Sequence, residues 1–163
     1  MATRELAERL DVRSARGIDS SRAMIEKARR ATDDRCTFAP GDIADWSGAE
    51  PVDLIVANAS LQWVPDHSSV LARWVAQLAP DGQLAVQVPA NSDHPSHTCS
   101  AAVANREPFH SAMGGTPPPD PVADNVLAPE AYAELLHDLG FGHPEVRMVV
   151  YPQVMESSAS VVE

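Results

Sequence analysis

Basic residues, cysteines and long apolar runs are all scarce in this sequence. Lysine and arginine number 12 against 23 aspartates and glutamates, which gives a net charge of -11. Nucleic acids and anionic membranes are bound through basic faces, so this composition argues against both partners. No apolar run approaches the about 18 residues of a transmembrane helix, and the N-terminal residues lack the apolar core of a signal peptide. These absences predict a cytoplasmic protein.

Metal ligands are also sparse. The two cysteines, Cys36 and Cys99, lie far apart without metal-binding spacing, so we expect free thiols in a reducing compartment. His94 and His97 stand three residues apart, but no acidic residue, cysteine or third ligand follows at a helpful spacing. We therefore predict no metal site.

What the sequence does contain is an alternation of strand and helix patterns. The 163 residues suit a single domain, and the alternation predicts an α/β fold with a mostly parallel sheet. The unbroken run Leu54-Ile55-Val56 further predicts a strand buried on both faces. The predicted strands cover residues 15–19, 36–39, 52–57, 84–88 and 146–151. The predicted helices cover residues 2–10, 21–28 with Met24, Ile25 and Ala28 as the buried face, 70–78 and 129–139.

One segment departs from this alternation. Residues 90–128 are rich in proline, serine, histidine, asparagine and glycine, and 100–106 are predicted to form a short helix. A stretch this long inside a compact domain is usually a lid, a small inserted piece or disordered. We interpret it as a lid or substrate cap inserted into the domain.

Polar side chains follow three of the predicted strands. Asp19 ends the first, Asp42 follows the second and Asn58 follows the run at 52–57. Ligands of parallel sheets bind at the carboxyl ends of the strands, where a carboxylate can accept from both hydroxyls of a ribose. Simpler roles stay open: Asp19 and Asn58 as helix caps, and Asp42 as a turn residue.

Together these motifs resemble the class I S-adenosylmethionine-dependent methyltransferases, with a Rossmann-like sheet. Within that class the chain is most similar to the trans-aconitate methyltransferases, which implies methyl transfer to a carboxylate of a small organic acid. The likeness runs over nearly the whole chain. The stretches that carry it are Gly17-Ile18-Asp19-Ser20-Ser21, Gly41-Asp42-Ile43, Asp53-Leu54-Ile55-Val56-Ala57-Asn58, Gln62-Trp63, Leu78-Ala79-Pro80-Asp81-Gly82, Gln87-Val88-Pro89-Ala90-Asn91 and His94-Pro95-Ser96-His97.

The resemblance implies a set of residues that bind S-adenosylmethionine. Asp19, with Ser20 beside it, would hold the ribose hydroxyls. Asp42 and Ile43 would frame the adenine, and Asn58 would lie beside the methionine part.

The acceptor would be bound by other side chains. A carboxylic acid is already ionised at pH 7, because its pKa is near ~4, so no catalytic base is predicted. The candidate partners of the anion are Trp63, His94, His97 and Arg106. The simpler readings are core packing for Trp63, surface histidines, and an exposed ion pair between Arg106 and Glu107.

The chain departs from the family at its front. The family's first strand and glycine-rich loop, which precede the first helix, are not found before residue 2, so 1–163 is predicted to be a partial methyltransferase domain of doubtful activity. Two alternatives remain. One is an inactive remnant or a fragment that needs a partner to complete its sheet. The other is an NAD-dependent oxidoreductase, since an acid after a strand also binds the ribose of NAD.

Overall fold

The computed structural model describes residues 2–122, 124–152, 154–157 and 160. The chain divides into two compact units, Met1–Val126 and Leu127–Glu163. The first unit contains the four strands found among the described residues. The strands are β1 (Ala15–Asp19), β2 (Cys36–Pro40), β3 (Val52–Asn58) and β4 (Leu78–Gln87). The helices are α1 (Ala2–Arg9), α2 (Arg22–Arg29), α3 (His67–Val75), α4 (Pro95–Ala104), α5 (Phe109–Ala112) and, in the second unit, α6 (Pro129–Asp138), with a short 3-10 turn at Leu61–Trp63.

The strands pair in parallel, which confirms the predicted α/β class. They form two sheets of two strands each, β1 with β2 and β3 with β4, where we expected one continuous sheet. Each pair is joined through a helix, so each sheet is one βαβ unit. The predicted absence of a family strand and loop concerns residues ahead of the described chain and stays a prediction.

Apolar side chains from α1, α2 and both strands pack on the first sheet. Their buried members are Ala7, Ile25, Ala28, Cys36 and Phe38. Met24, predicted to share this face, is instead 51% exposed. At about 100° per residue, Met24 lies at the edge of the stripe formed by Ile25 and Ala28, so its side chain faces solvent.

The second sheet is less buried than the sequence predicted. In β3 only Ala57 is buried among the described residues, and Val56 is 47% exposed, so the prediction of a strand buried on both faces is wrong. One helix, α3, connects β3 to β4, and a single crossover helix can cover only one face of the sheet. On α3, by contrast, Val70, Leu71 and Trp74 are buried.

Strand β4 begins earlier than the predicted 84–88. Helix α3 ends at Val75, and Leu78, predicted to be helical, already pairs with Val52. The register then shifts before Leu54 pairs with Gln83, so Pro80-Asp81-Gly82 forms an irregularity within the strand. Gly82 is required there, because a Cβ atom would lie 2.8 Å from the carbonyl oxygen of Ala79.

The remaining predictions have mixed outcomes. Helix α6 begins at Pro129, the predicted start, and is followed by Gly140 in the left-handed region (φ 94°). The helix predicted at 100–106 begins earlier, at Pro95. The strand predicted at 146–151 is wrong: these residues carry no strand, and Val150 is 74% exposed, because no neighbouring strand pairs with them.

Gly17 in β1 leads to a stability prediction. A Cβ atom on this residue would lie 2.6 Å from Cδ1 of the buried Phe38 ring, so Gly17→Ala forces the ring or the strand to move. We expect Gly17→Ala to lower the free energy of unfolding by about 1–3 kcal/mol, measured by urea denaturation. Gly142→Ala is the control, because a Cβ there meets nothing within 4 Å. Equal stability of the two variants would contradict this packing.

Candidate functional site

Asp19 is the last residue of β1, at the carboxyl end of the strand. Its Oδ1 atom accepts a hydrogen bond from the N–H of Ser21 at 2.8 Å, while Ser21 itself caps α2 and accepts from the N–H of Met24 at 3.4 Å. Asp19 is therefore not the helix cap. Its Oδ2 atom accepts no hydrogen bond within the described residues. Ser20, between them, is exposed.

Asp42 lies at the same end of the first sheet. Asp19 pairs with Pro40 in the strand register, and the N–H of Gly41 donates to the carbonyl of Asp19 at 3.1 Å. Asp42 follows directly, and its Oδ1 atom accepts from the N–H of Ala44 at 2.8 Å, so the turn role is real. This hydrogen bond uses one carboxylate oxygen of Asp42, and the other oxygen accepts no hydrogen bond within the described residues. Asp19 and Asp42 therefore lie at the same end of the first sheet.

The main chain of Ile43 is held by a hydrogen bond from helix α3. The indole Nε1–H of Trp74 donates to the carbonyl oxygen of Ile43 at 3.0 Å. The amide oxygen of Gln77 likewise accepts from the N–H of Gly48 at 2.8 Å. Residues of and after α3 thus hold the loop that follows Asp42.

Asn58 ends β3, where it pairs with Gln87, and its side chain is exposed. The following 3-10 turn has Ser60 at its cap position, so Asn58 is not a helix cap. Trp63 belongs to the same turn and is 64% exposed, so core packing, the simpler reading, is wrong. Asn58 and Trp63 are close in the chain: Asn58 ends a strand of the second sheet, and Trp63 lies in the turn that follows it.

Three of the candidate partners of the acceptor anion lie along the 90–128 segment. His94 is exposed at the start of α4, and the N–H of His97 donates to its carbonyl at 2.9 Å. Arg106 is exposed beyond the end of α4, and no ion pair joins it to Glu107 in the described structure. No group of three or more metal-ligating side chains was found among the described residues. The acceptor-binding role of these residues stays a prediction.

Both cysteines are free thiols, as predicted, with Cys36 buried and Cys99 exposed. A cleft of about 100 Å³ opens beside Asp19, lined also by Gly17, Met24 and Phe38. This is below the roughly 300–1,000 Å³ of small-molecule pockets.

Sequence reasoning missed two buried polar residues, Gln62 in the turn after β3 and His67 at the start of α3. His67 Nε2 donates to the carbonyl of Leu61 at 2.8 Å. Burial lowers the pKa of His67, against the opposing effect of its backbone hydrogen bonds. The available signal was their position among the apolar residues Leu61, Val64 and Val70.

His67 gives the protein a pH-dependent stability. Because the pKa in the folded state is lowered, the neutral ring favours folding above the unfolded pKa of about 6.5, and this contribution is lost as the pH falls below it. We expect the urea midpoint to fall between about pH 7.5 and pH 5.5. His67→Gln should show a shallower fall than the wild type over this range. Parallel curves for the two proteins would refute the assignment.

Comparison with known proteins gives the family. Residues 1–82, half of the chain, match a family model described as a methyltransferase domain. The chain is 42% identical to the trans-aconitate 2-methyltransferase of Deinococcus radiodurans over 99% of its own length and 62% of that relative's length. The chain therefore belongs to the class I S-adenosylmethionine-dependent methyltransferases, which confirms the resemblance seen in the sequence.

Solved structures agree on the fold. A chain from the complex between the Haloferax volcanii Trm112 methyltransferase activator and a methyltransferase superposes with a TM-score of 0.68 at 18% identity, covering 98% of this chain and 65% of that chain. The plantazolicin methyltransferase BpumL, solved with a desmethylPZN analog and SAH, superposes with a TM-score of 0.58 at 17% identity. The match covers 83% of this chain and 49% of that chain. The family match gives no support to the oxidoreductase alternative. No described helix is long and apolar enough to cross a membrane.

Proposed function

We propose that this chain binds S-adenosylmethionine and takes part in methyl transfer to a carboxylate of a small organic acid, trans-aconitate being the first candidate. The observation that carries the proposal is the 42% identity to a trans-aconitate 2-methyltransferase along 99% of this chain. The chain spans 62% of that relative's length, so the activity of the whole enzyme is part of the proposal.

The residues at the first sheet end fit a nucleoside. Asp19 and Asp42 stand at the same carboxyl end, each with one carboxylate oxygen left open by the described residues. In the proposal Asp19 binds the ribose hydroxyls with Ser20 beside it. Asp42 accepts from the adenine amino group, and Ile43, held by Trp74, packs on the ring. Asn58 contacts the methionine part from the second sheet.

In methyl transfer to a carboxylate, the main role of these side chains is to align the reacting groups. When bound, the sulfonium group supplies the methyl carbon for an in-line displacement by a carboxylate oxygen. The protein's task is to orient and dehydrate the two groups, and proximity effects of about 7–11 kcal/mol are available for this. No residue acts as a base, because the acceptor is ionised at neutral pH.

The 90–128 segment is proposed as the acceptor cap. The imidazoles of His94 and His97 and the guanidinium of Arg106 would donate hydrogen bonds to the anion, and Trp63 would form the wall beside it. Arg106 would supply the local positive charge that a protein of net charge -11 otherwise lacks.

Calorimetry with S-adenosylhomocysteine, followed by a methylation assay with trans-aconitate and S-adenosylmethionine, tests the proposal. We expect saturable heat and methyl ester formation. Binding heat without methyl ester would reject trans-aconitate as the acceptor but would still support binding of the cofactor. No heat from a folded chain would reject cofactor binding by this chain alone and favour the remnant or partner-dependent alternative.

A further inference from the structure

Gln62 is a buried polar residue without an assigned role. It is 6% exposed, and its Oε1 atom is buried without a hydrogen-bond donor in the described structure. A buried acceptor that is left unsatisfied destabilises the folded state, so an apolar residue of the same size would suit this position better for stability. Packing alone therefore does not explain why a side-chain amide occupies this buried position.

The other end of the same amide supplies that reason. Gln62 Nε2 donates to the carbonyl oxygen of Ala59 at 3.0 Å. Ala59 adopts the left-handed region (φ 49°), which alanine resists because of its Cβ atom. The N–H of Ala59 donates to the carbonyl of Gln87 at 2.9 Å. Gln62 thus holds a strained residue that directly follows Asn58.

The main chain of Gln62 has a second partner. Asn125 Nδ2 donates to the carbonyl oxygen of Gln62 at 2.9 Å, across 63 residues of sequence. Asn125 lies near the end of the 90–128 segment. A single residue is therefore bonded both to the turn after β3 and to the segment proposed as the acceptor cap.

We propose that Gln62 is a positioning residue that sets the turn carrying Asn58, and that the Asn125 bond couples this turn to the 90–128 segment. The proposal rests on the proposed function for the roles of the turn and the segment. Ordering of either one then stabilises the other, so cofactor bound at the turn favours the ordered form of the 90–128 segment, and the reverse holds equally.

Hydrogen exchange measured by mass spectrometry tests the coupling without any ligand. Asn125→Ala is expected to raise exchange about 5-fold both in peptides covering 58–66 and in peptides covering 116–126, because one hydrogen bond is lost. Asn105→Ala is the matched control, since Asn105 Nδ2 donates to Ala101 within its own helix at 2.8 Å. If both variants leave 58–66 equally protected, the coupling is overturned.

Gln62→Met tests the positioning role. Methionine has a similar volume and removes both the Ala59 bond and the unsatisfied Oε1 atom, so the urea midpoint should stay near the wild-type value. Affinity for S-adenosylhomocysteine should fall about 5- to 10-fold, because the turn is no longer held. Unchanged affinity, or a joint loss of stability and affinity, would reject the role.

The two proposals can fail separately. If the wild-type chain binds no S-adenosylhomocysteine, the proposed function fails, while the exchange experiment still decides whether the turn and the segment are coupled. If the wild type binds and Asn125→Ala exchanges like Asn105→Ala, only the coupling fails.

Discussion

Asp19→Ala is expected to weaken the binding of S-adenosylhomocysteine at least about 100-fold. The carboxylate would accept from two ribose hydroxyls, and charge-assisted hydrogen bonds contribute roughly 1.5 to 3 kcal/mol each, so losing both costs at least about 3 kcal/mol. Calorimetric titration of the variant and the wild type under one buffer measures the change.

Two further variants separate binding from folding. Asp19→Asn keeps an oxygen for the N–H of Ser21, so the turn into α2 should survive while the charge is lost. We expect an intermediate loss of affinity and little change in stability. Asp34→Asn removes an exposed carboxylate for which the described structure gives no ion pair, and should bind like the wild type. Equal affinity of Asp19→Asn and Asp34→Asn would contradict the ribose role.

Trp74→Ala is expected to cause the largest loss of stability. Trp74 is 3% exposed on α3, and truncation of a buried tryptophan costs about 3–5 kcal/mol from lost burial and the cavity left behind. Because whole domains are stable by only about 5–15 kcal/mol, the variant should be close to unfolding at 37 °C. Urea denaturation followed by far-UV circular dichroism checks this.

The same substitution at Trp63 is the matched control. Trp63 is mostly exposed, so Trp63→Ala should change the stability by no more than about 0.5 kcal/mol. Trp74→Phe probes the link to the site, because it keeps most of the ring volume but leaves the carbonyl of Ile43 without its indole donor. Similar destabilisation by Trp63→Ala and Trp74→Ala would show that burial of Trp74 does not support the fold.

Local sequence signals predicted the parts of this structure that depend on local chemistry. The end of β1 at Asp19, the proline start of α6 and the glycine after it follow from backbone preferences that neighbouring residues set. The shared sheet end of Asp19 and Asp42 follows from parallel pairing, which fixes where strand ends meet. These are consequences of periodicity and turn chemistry.

What the sequence could not give depends on neighbours that are distant in the chain. The exposure of Val56 depends on how many strands and helices surround β3, and the missing strand at 146–151 depends on a free edge to pair with. The bond from Asn125 to Gln62 joins residues 63 positions apart, and no periodic pattern encodes it. The hydrophobicity of Trp63 favoured core packing, but whether its side chain is buried depends on the direction of the turn, which hydrophobicity does not encode.

The carboxylates of Asp19 and Asp42 also shape the electrostatic potential outside the molecule. Neither is ion-paired within the described chain, so the sheet end projects negative potential over about one Debye length, roughly 8 Å at physiological salt. Under the proposed function the reactant cofactor carries a net positive charge and its demethylated product is neutral. The field then attracts the one and loosens its hold on the other, so turnover itself would promote product release.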